Sequence, residues 1–129
     1  MTVVAHQRGE GELTLAISAA MLELYATFYG HRRTTATTYI NGTVVVCLLE
    51  AILTERESEM LVDGRVKEAV DGRVAFQTSS EDEFTSMIER LTHRHVEAFM
   101  SANETDPGVA CELFFLDAAP LASRSDMSS

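Results

Sequence analysis

The sequence predicts a two-layer α+β domain: a four-stranded antiparallel sheet with helices on one face, in the order α-ββ-α-α-ββ. Three observations predict it. A helix-period apolar stripe stops at Gly30, an Asn-Gly pair separates two β-rich runs, and a later helical stretch leads into two more strand-like runs. Hairpins joined by helices pair most simply into one antiparallel sheet, which the helices then cover.

The first stripe is Leu13, Ile17, Ala20, Met21, Leu24 and Phe28, spaced as one face of a helix. Gly30 suits the position just past a helix end, where left-handed backbone is needed. Thr35 to Ile40 and Thr43 to Leu49 form a hairpin around Asn41-Gly42. A type I′ turn needs positive φ at both central positions, and Asn-Gly supplies them. Val44 to Leu49 is apolar at every position. That pattern places the strand centrally in the sheet or covers it on both faces.

Thr54-Glu-Arg-Glu57 is a capping box, opening a second helix that runs towards Gly64. A third helix spans 66 to 92, with Phe84, Met87, Ile88 and Leu91 as its clear stripe. Its middle, Gln77-Thr-Ser-Ser80, is weak, and a break near Ser79 is the alternative to one long helix. The short Asp-Gly-Arg-Val matches at 63 and 71 are not a repeat. Gly64 reads as an interhelix turn and Gly72 as a helix glycine costing about 1 kcal/mol relative to Ala. His95 to Ser101 alternates as a strand, Asn103 to Gly108 is a turn through Asp106-Pro107, and Val109 to Leu116 is the fourth strand. One domain over 1–117 and a disordered tail over 118–129 complete the expectation. A helix ending in basic residues precedes each hairpin, a hint of internal duplication.

Composition narrows function mainly by exclusion. A chain of 129 residues is most simply one domain. With 20 acidic against 10 basic residues, its net charge of −10 opposes nucleic acid and anionic membrane surfaces, which are polyanions. Cys47 and Cys111 lie in apolar runs, which suits free thiols in a reduced, cytoplasmic setting. The first residues lack the pattern of a signal peptide. The Val44–Leu49 run is far shorter than the ~20 residues that span a bilayer, so direct membrane insertion is not expected.

Candidate sites are few. His31, Arg32, Arg33, Thr34 and Thr35 form the densest positive stretch, and Tyr39 lies beside the hairpin turn. Arginine's planar fork suits small oxyanions, bicarbonate or phosphate among them, whereas cations past a helix end also simply answer its dipole. Glu50 and Glu112 are the acids expected inside, where burial raises a carboxyl pKa and equips it for acid–base work. Glu112 would also suit an ion pair with Arg94 or another arginine. His93 and His95 begin at most an incomplete metal site, so no metal and no cofactor is expected. No nucleophile triad, phosphate loop or dinucleotide fingerprint is present, which argues against an enzyme.

Several motifs in order resemble the MpsC-like family. They are the helix ending in Tyr29-Gly30, Thr34-x-x-x-Thr38-Tyr39-Ile40-Asn41, Val44 to Glu50, and Leu53-Thr54-x-x-Glu57. Ala75-Phe76-Gln77, Val96-x-Ala98-Phe99, and Asp106-Pro107 leading into Glu112-Leu-Phe-x-Leu116 continue the match. The resemblance implies a cytoplasmic protein of a cation-translocating, membrane-potential-generating system, related systems being linked to inorganic-carbon uptake. It carries no catalytic residues. The family commonly has Gly where His93 stands and a basic residue at His95. The expected function is a non-enzymatic accessory or regulatory module acting by protein–protein contact with a membrane-transport subunit, and forming a homodimer. The alternative is a small-anion sensor built on His31 to Thr35.

Overall fold

A computed structural model describes residues 2–30 and 33–120 of the chain. Three helices and four strands follow in the order α1 (Thr2–Tyr29), β1 (Thr35–Asn41), β2 (Val44–Glu50), α2 (Glu55–Val62), α3 (Val66–Thr92), β3 (Arg94–Glu104) and β4 (Val109–Pro120). All pairings are antiparallel, and the sheet runs β1-β2-β4-β3. The two hairpins therefore meet along β2 and β4, with β1 and β3 at the edges. The fold class and element order agree with the sequence reading.

One face of the sheet meets α1 and α3, and α2 packs on α3. Ile17, Met21 and Tyr25 of α1 and Phe76, Phe84, Met87 and Ile88 of α3 enter the core. They meet Val45, Cys47 and Leu49 of β2 and Ala110, Phe114 and Leu116 of β4. Each of these α1 residues is four positions after the last, so their side chains stack on one stripe. Phe28, expected on that stripe, is instead exposed, and Tyr25 takes the inner place. Phe28 rests its ring against Phe76 and Tyr29 at the rim.

Several local signals act as expected. Gly30 has φ 84° and closes α1 by donating to Ala26 O. Thr54 and Glu57 form the reciprocal capping box at the start of α2. The third helix is continuous through Gln77–Ser80: Gln77 and Ser80 are buried on its inner face, while Thr78 and Ser79 are exposed and Ser79 Oγ donates back to Phe76 O at 3.1 Å.

Other features differ from the sequence reading. The first hairpin loop is Gly42-Thr43, with Asn41 paired to Val44. Only Gly42 has positive φ, at 62°. A single positive φ at the first loop position is the II′ arrangement rather than I′. β2 is central but covered on one face only. β4 runs to Pro120, past the strand end expected at Leu116 and into the expected tail. The 11-residue β3 offers it a partner as far as Arg94↔Pro120, through register shifts between Arg94 and Ala98. Residues 121–129 lie outside the described residues.

Candidate functional site

The inner face of α3 sets the chemistry of the interior. Carrying the Phe84–Ile88 stripe back by helical spacing places Arg73, Gln77 and Ser80 inside, and all three are buried. Arg73, 1% exposed, is the largest fully buried side chain. Its Nε donates to Glu57 Oε2 at 2.7 Å and its Nη2 to Glu57 Oε1 at 2.6 Å, a bidentate pair. Nη2 also donates to the carbonyl of Ile52. The remaining nitrogen, Nη1, has no hydrogen-bond acceptor. The guanidinium lies over the Tyr29 ring, 4.0 Å from its centroid, so a π face supplies part of the missing attraction. Burial pushes the Tyr29 phenol up to about 12. The Glu57 carboxylate also accepts from Thr54 N, so one group caps α2 and anchors α3.

A second polar cluster surrounds Glu112, which has 0% exposure in the middle of β4. Tyr25 Oη donates to Oε2 at 2.6 Å, Ser101 Oγ donates to Oε1, and the Gln77 side chain also hydrogen-bonds the carboxylate. Gln77 Oε1 in turn accepts from Asn103 Nδ2 at 3.0 Å. The cluster joins α1, α3, β3 and β4 through one carboxyl group. Its partners are hydroxyls and amides, not Arg94 or another arginine, the ion pair that the sequence also allowed. Desolvation raises the Glu112 pKa, and its hydrogen bonds from Ser101, Tyr25 and Gln77 oppose that rise. Burial also raises the Tyr25 phenol, with the Glu112 charge adding to the effect.

Both clusters are internal, and Glu112 lines none of the described cavities. Such an arrangement can fix helix positions and bind a proton, whereas acid–base work on a substrate needs access. Glu50, the other acid expected inside, stands exposed at the end of β2. Strand alternation explains this, because Leu49 beside it points into the core.

The His31–Thr35 segment does not assemble as an anion cradle among the described residues. His31 and Arg32 lie outside them. Arg33 is exposed, and Thr34 Oγ1 is committed to the carbonyl of Ala51 at 2.9 Å. Thr35 and Tyr39 project from the outer face of β1. The depression that Arg33 lines also carries Glu55 and Glu59, whose charges oppose an anion. His93 is the left-handed C-cap of α3 at φ 58°, so it does not share a strand face with His95. His95 instead pairs with Glu89 at 2.9 Å. Among the described residues, no group of three or more His, Cys, Asp or Glu could hold a metal ion.

What the interior lacks in access, the outer face of the sheet has. Its cross-strand rows are Thr37–Leu48–Cys111–Ala102, Tyr39–Val46–Leu113–Met100 and Asn41–Val44–Phe115–Ala98. No described element covers them. Tyr39 is 56% exposed, Met100 57% and Leu48 40%. A depression of about 470 Å³ opens there between Tyr39, Leu48, Cys111 and Ala102. Acidic side chains stand only beyond these rows, as in the Glu50–Val109–Glu104 row at one end.

The structure is a two-layer α+β domain with a polar-stitched interior and one sheet face that no described element covers. Its family is recognisable: residues 9–118 match the model of the "Na+-translocating membrane potential-generating system (MpsC)", and the chain belongs to that family. No curated protein and no solved structure matches the chain. Among the described residues, no helix is long and apolar enough to cross a membrane.

Arg73 is the residue that reading by motif missed, and with it the second role of Glu57, which the capping box had marked only as a cap. The signal was present, since Arg73 falls 11 positions before Phe84 on the same helical face.

Proposed function

We propose that this chain is a non-enzymatic accessory or regulatory module of a cation-translocating membrane system, of the kind that also serves inorganic-carbon uptake. The observation that carries the reading is the family match over nearly the whole domain. In the absence of a membrane-spanning helix among the described residues, a role in such a system is exercised through contact with a membrane subunit. The protein then sits on the cytoplasmic side, peripheral to the bilayer. The β1 edge supplies the contact: an unpaired strand rim next to the exposed Arg33, with Thr35 and Tyr39 beside it. Edge strands are ready templates for another chain, and the exposed Arg33 offers such docking a cation beside the edge.

Affinity purification of the tagged chain from native membranes tests this. The reading predicts recovery of a polytopic transport subunit, reduced when Arg32 and Arg33 are both replaced by Ala. Recovery of no membrane subunit contradicts the accessory role, and recovery unaffected by the double replacement contradicts the surface.

A further inference from the structure

We propose that the outer face of the sheet seats a second copy of this chain, face to face, with Tyr39, Leu48, Met100 and Phe115 at the centre of the contact. The inference extends the interaction reading and stands apart from the membrane partner, because it concerns the purified chain alone.

Three arguments select a second copy. The first is electrostatic. Two chains of net charge −10 repel overall, so their association is favoured where the facing surfaces carry the least charge. The three central rows meet that requirement, since they hold no Asp, Glu, Lys or Arg. A basic partner would meet carboxylates only at the Glu50–Glu104 end of this face, and an anionic lipid surface would be repelled by the acidic chain around it.

The second argument is size. Four strands at ~4.8 Å spacing and seven residues at ~3.3 Å rise give a footprint of roughly 440 Å². The 11-residue β3 and 12-residue β4 extend beyond that rectangle. Side chains standing off the plane raise the accessible area towards the ~600 Å² per subunit at which stable interfaces begin.

The third argument is symmetry. A two-fold axis in the plane of the contact and perpendicular to the strands sets the Glu50–Glu104 row of one copy over the Asn41–Ala98 row of the other. Acidic rows are then kept apart and the apolar rows coincide, as in an aligned sheet-on-sheet packing. Tyr and Met are among the residues enriched at the centres of such contacts.

Analytical ultracentrifugation of the full chain over a concentration series is the test. The expected species has twice the 14.2 kDa mass of one chain. Leu48→Asp and Met100→Lys are each expected to give monomers with unchanged circular dichroism. Cys111 lies near the middle of the face, so a short bismaleimide is expected to join two wild-type chains and to leave Cys111→Ser unjoined. A wild-type monomer at every concentration overturns the proposal. So does a dimer that survives both variants or that Cys111 does not cross-link. A monomer that dimerises only after removal of residues 121–129 also overturns it, because the chain's own end would then cover the face.

Discussion

The two faces of the sheet obey opposite rules. On the inner face, β4 carries Glu112 with no exposed surface, and it lies across from Cys47 of β2. On the outer face, the same two strands present Leu48, Val46, Leu113 and Phe115 where solvent would otherwise be expected. Alternation in a sheet with one wet face usually places apolar residues inside and polar ones outside. In β4 it is broken in both directions. Ala110, Phe114 and Leu116 fix the register, and Glu112 is carried inside with them because the side-chain period is two. The difference shows two ways to satisfy a misplaced residue. The buried carboxyl recruits hydrogen bonds from its own chain, whereas in the proposed dimer the bare apolar face is covered by another chain.

The strongest way to break the interior half of this picture is Arg73→Ala. It leaves the Glu57 carboxylate without its cation and is expected to destabilise the fold by about 3–5 kcal/mol in urea unfolding. A loss below about 1 kcal/mol would show that the buried pair does not hold α2 to α3.

Adjacent leucines sharpen the contrast directly. Leu49→Ala removes a core side chain and should cost about 2–5 kcal/mol. Leu48→Ala, one residue away on the outer face, should cost about 1 kcal/mol or less when measured at high dilution. Equal losses would mean that the outer face is packed within a single chain.

Much of this arrangement could be read from the sequence, and the rest failed for physical reasons. Gly30, the Thr54–Glu57 capping box and the Val66–Thr92 helix were legible, because caps and long periodic segments are local signals. The hairpin slipped by one position because Asn-Gly also fits a loop in which Asn41 ends the strand. The all-apolar β2 suggested a strand central in the sheet or covered on both faces; it is central, and periodicity cannot say whether a second layer belongs to the same chain. Arg73 was hidden by its charge. A residue type that is seldom buried was passed over, although helical spacing from Phe84 points it inward.

The Glu112 cluster adds a pH signature. A carboxyl whose folded pKa is raised holds its proton more tightly in the folded state than in the unfolded one. Its contribution is therefore greatest below the unfolded value of about 4.3 and declines as pH rises through the folded value. Tyr25, Cys47 and Cys111 are its titratable neighbours, and burial moves all three upward, Cys47 to about 11. None changes charge in that window. Glu112→Gln should accordingly flatten the fall in stability between acid and neutral pH, seen as a smaller difference between urea midpoints. An unchanged slope would assign the pH dependence to other groups.

A smaller effect is expected at the end of α3. His93 adopts φ 58°, a region that costs a residue with a Cβ about 1–2 kcal/mol. His93→Gly relieves that strain and should stabilise the chain by about 0.5–1 kcal/mol after the entropy cost of glycine. A lower melting temperature would show that the His93 side chain supports the cap.

The chain carries its own probe for each face of the sheet. Cys47 is fully buried on the inner side and Cys111 half-buried on the outer side, both as free thiols. Thiol labelling of the native protein, read residue by residue by mass spectrometry over a dilution series, compares them in one experiment. The account predicts that Cys111 labels readily in dilute solution and more slowly as concentration rises, while Cys47 stays silent until the protein unfolds. Early labelling of Cys47, or a Cys111 that is unreactive at every dilution, would contradict it.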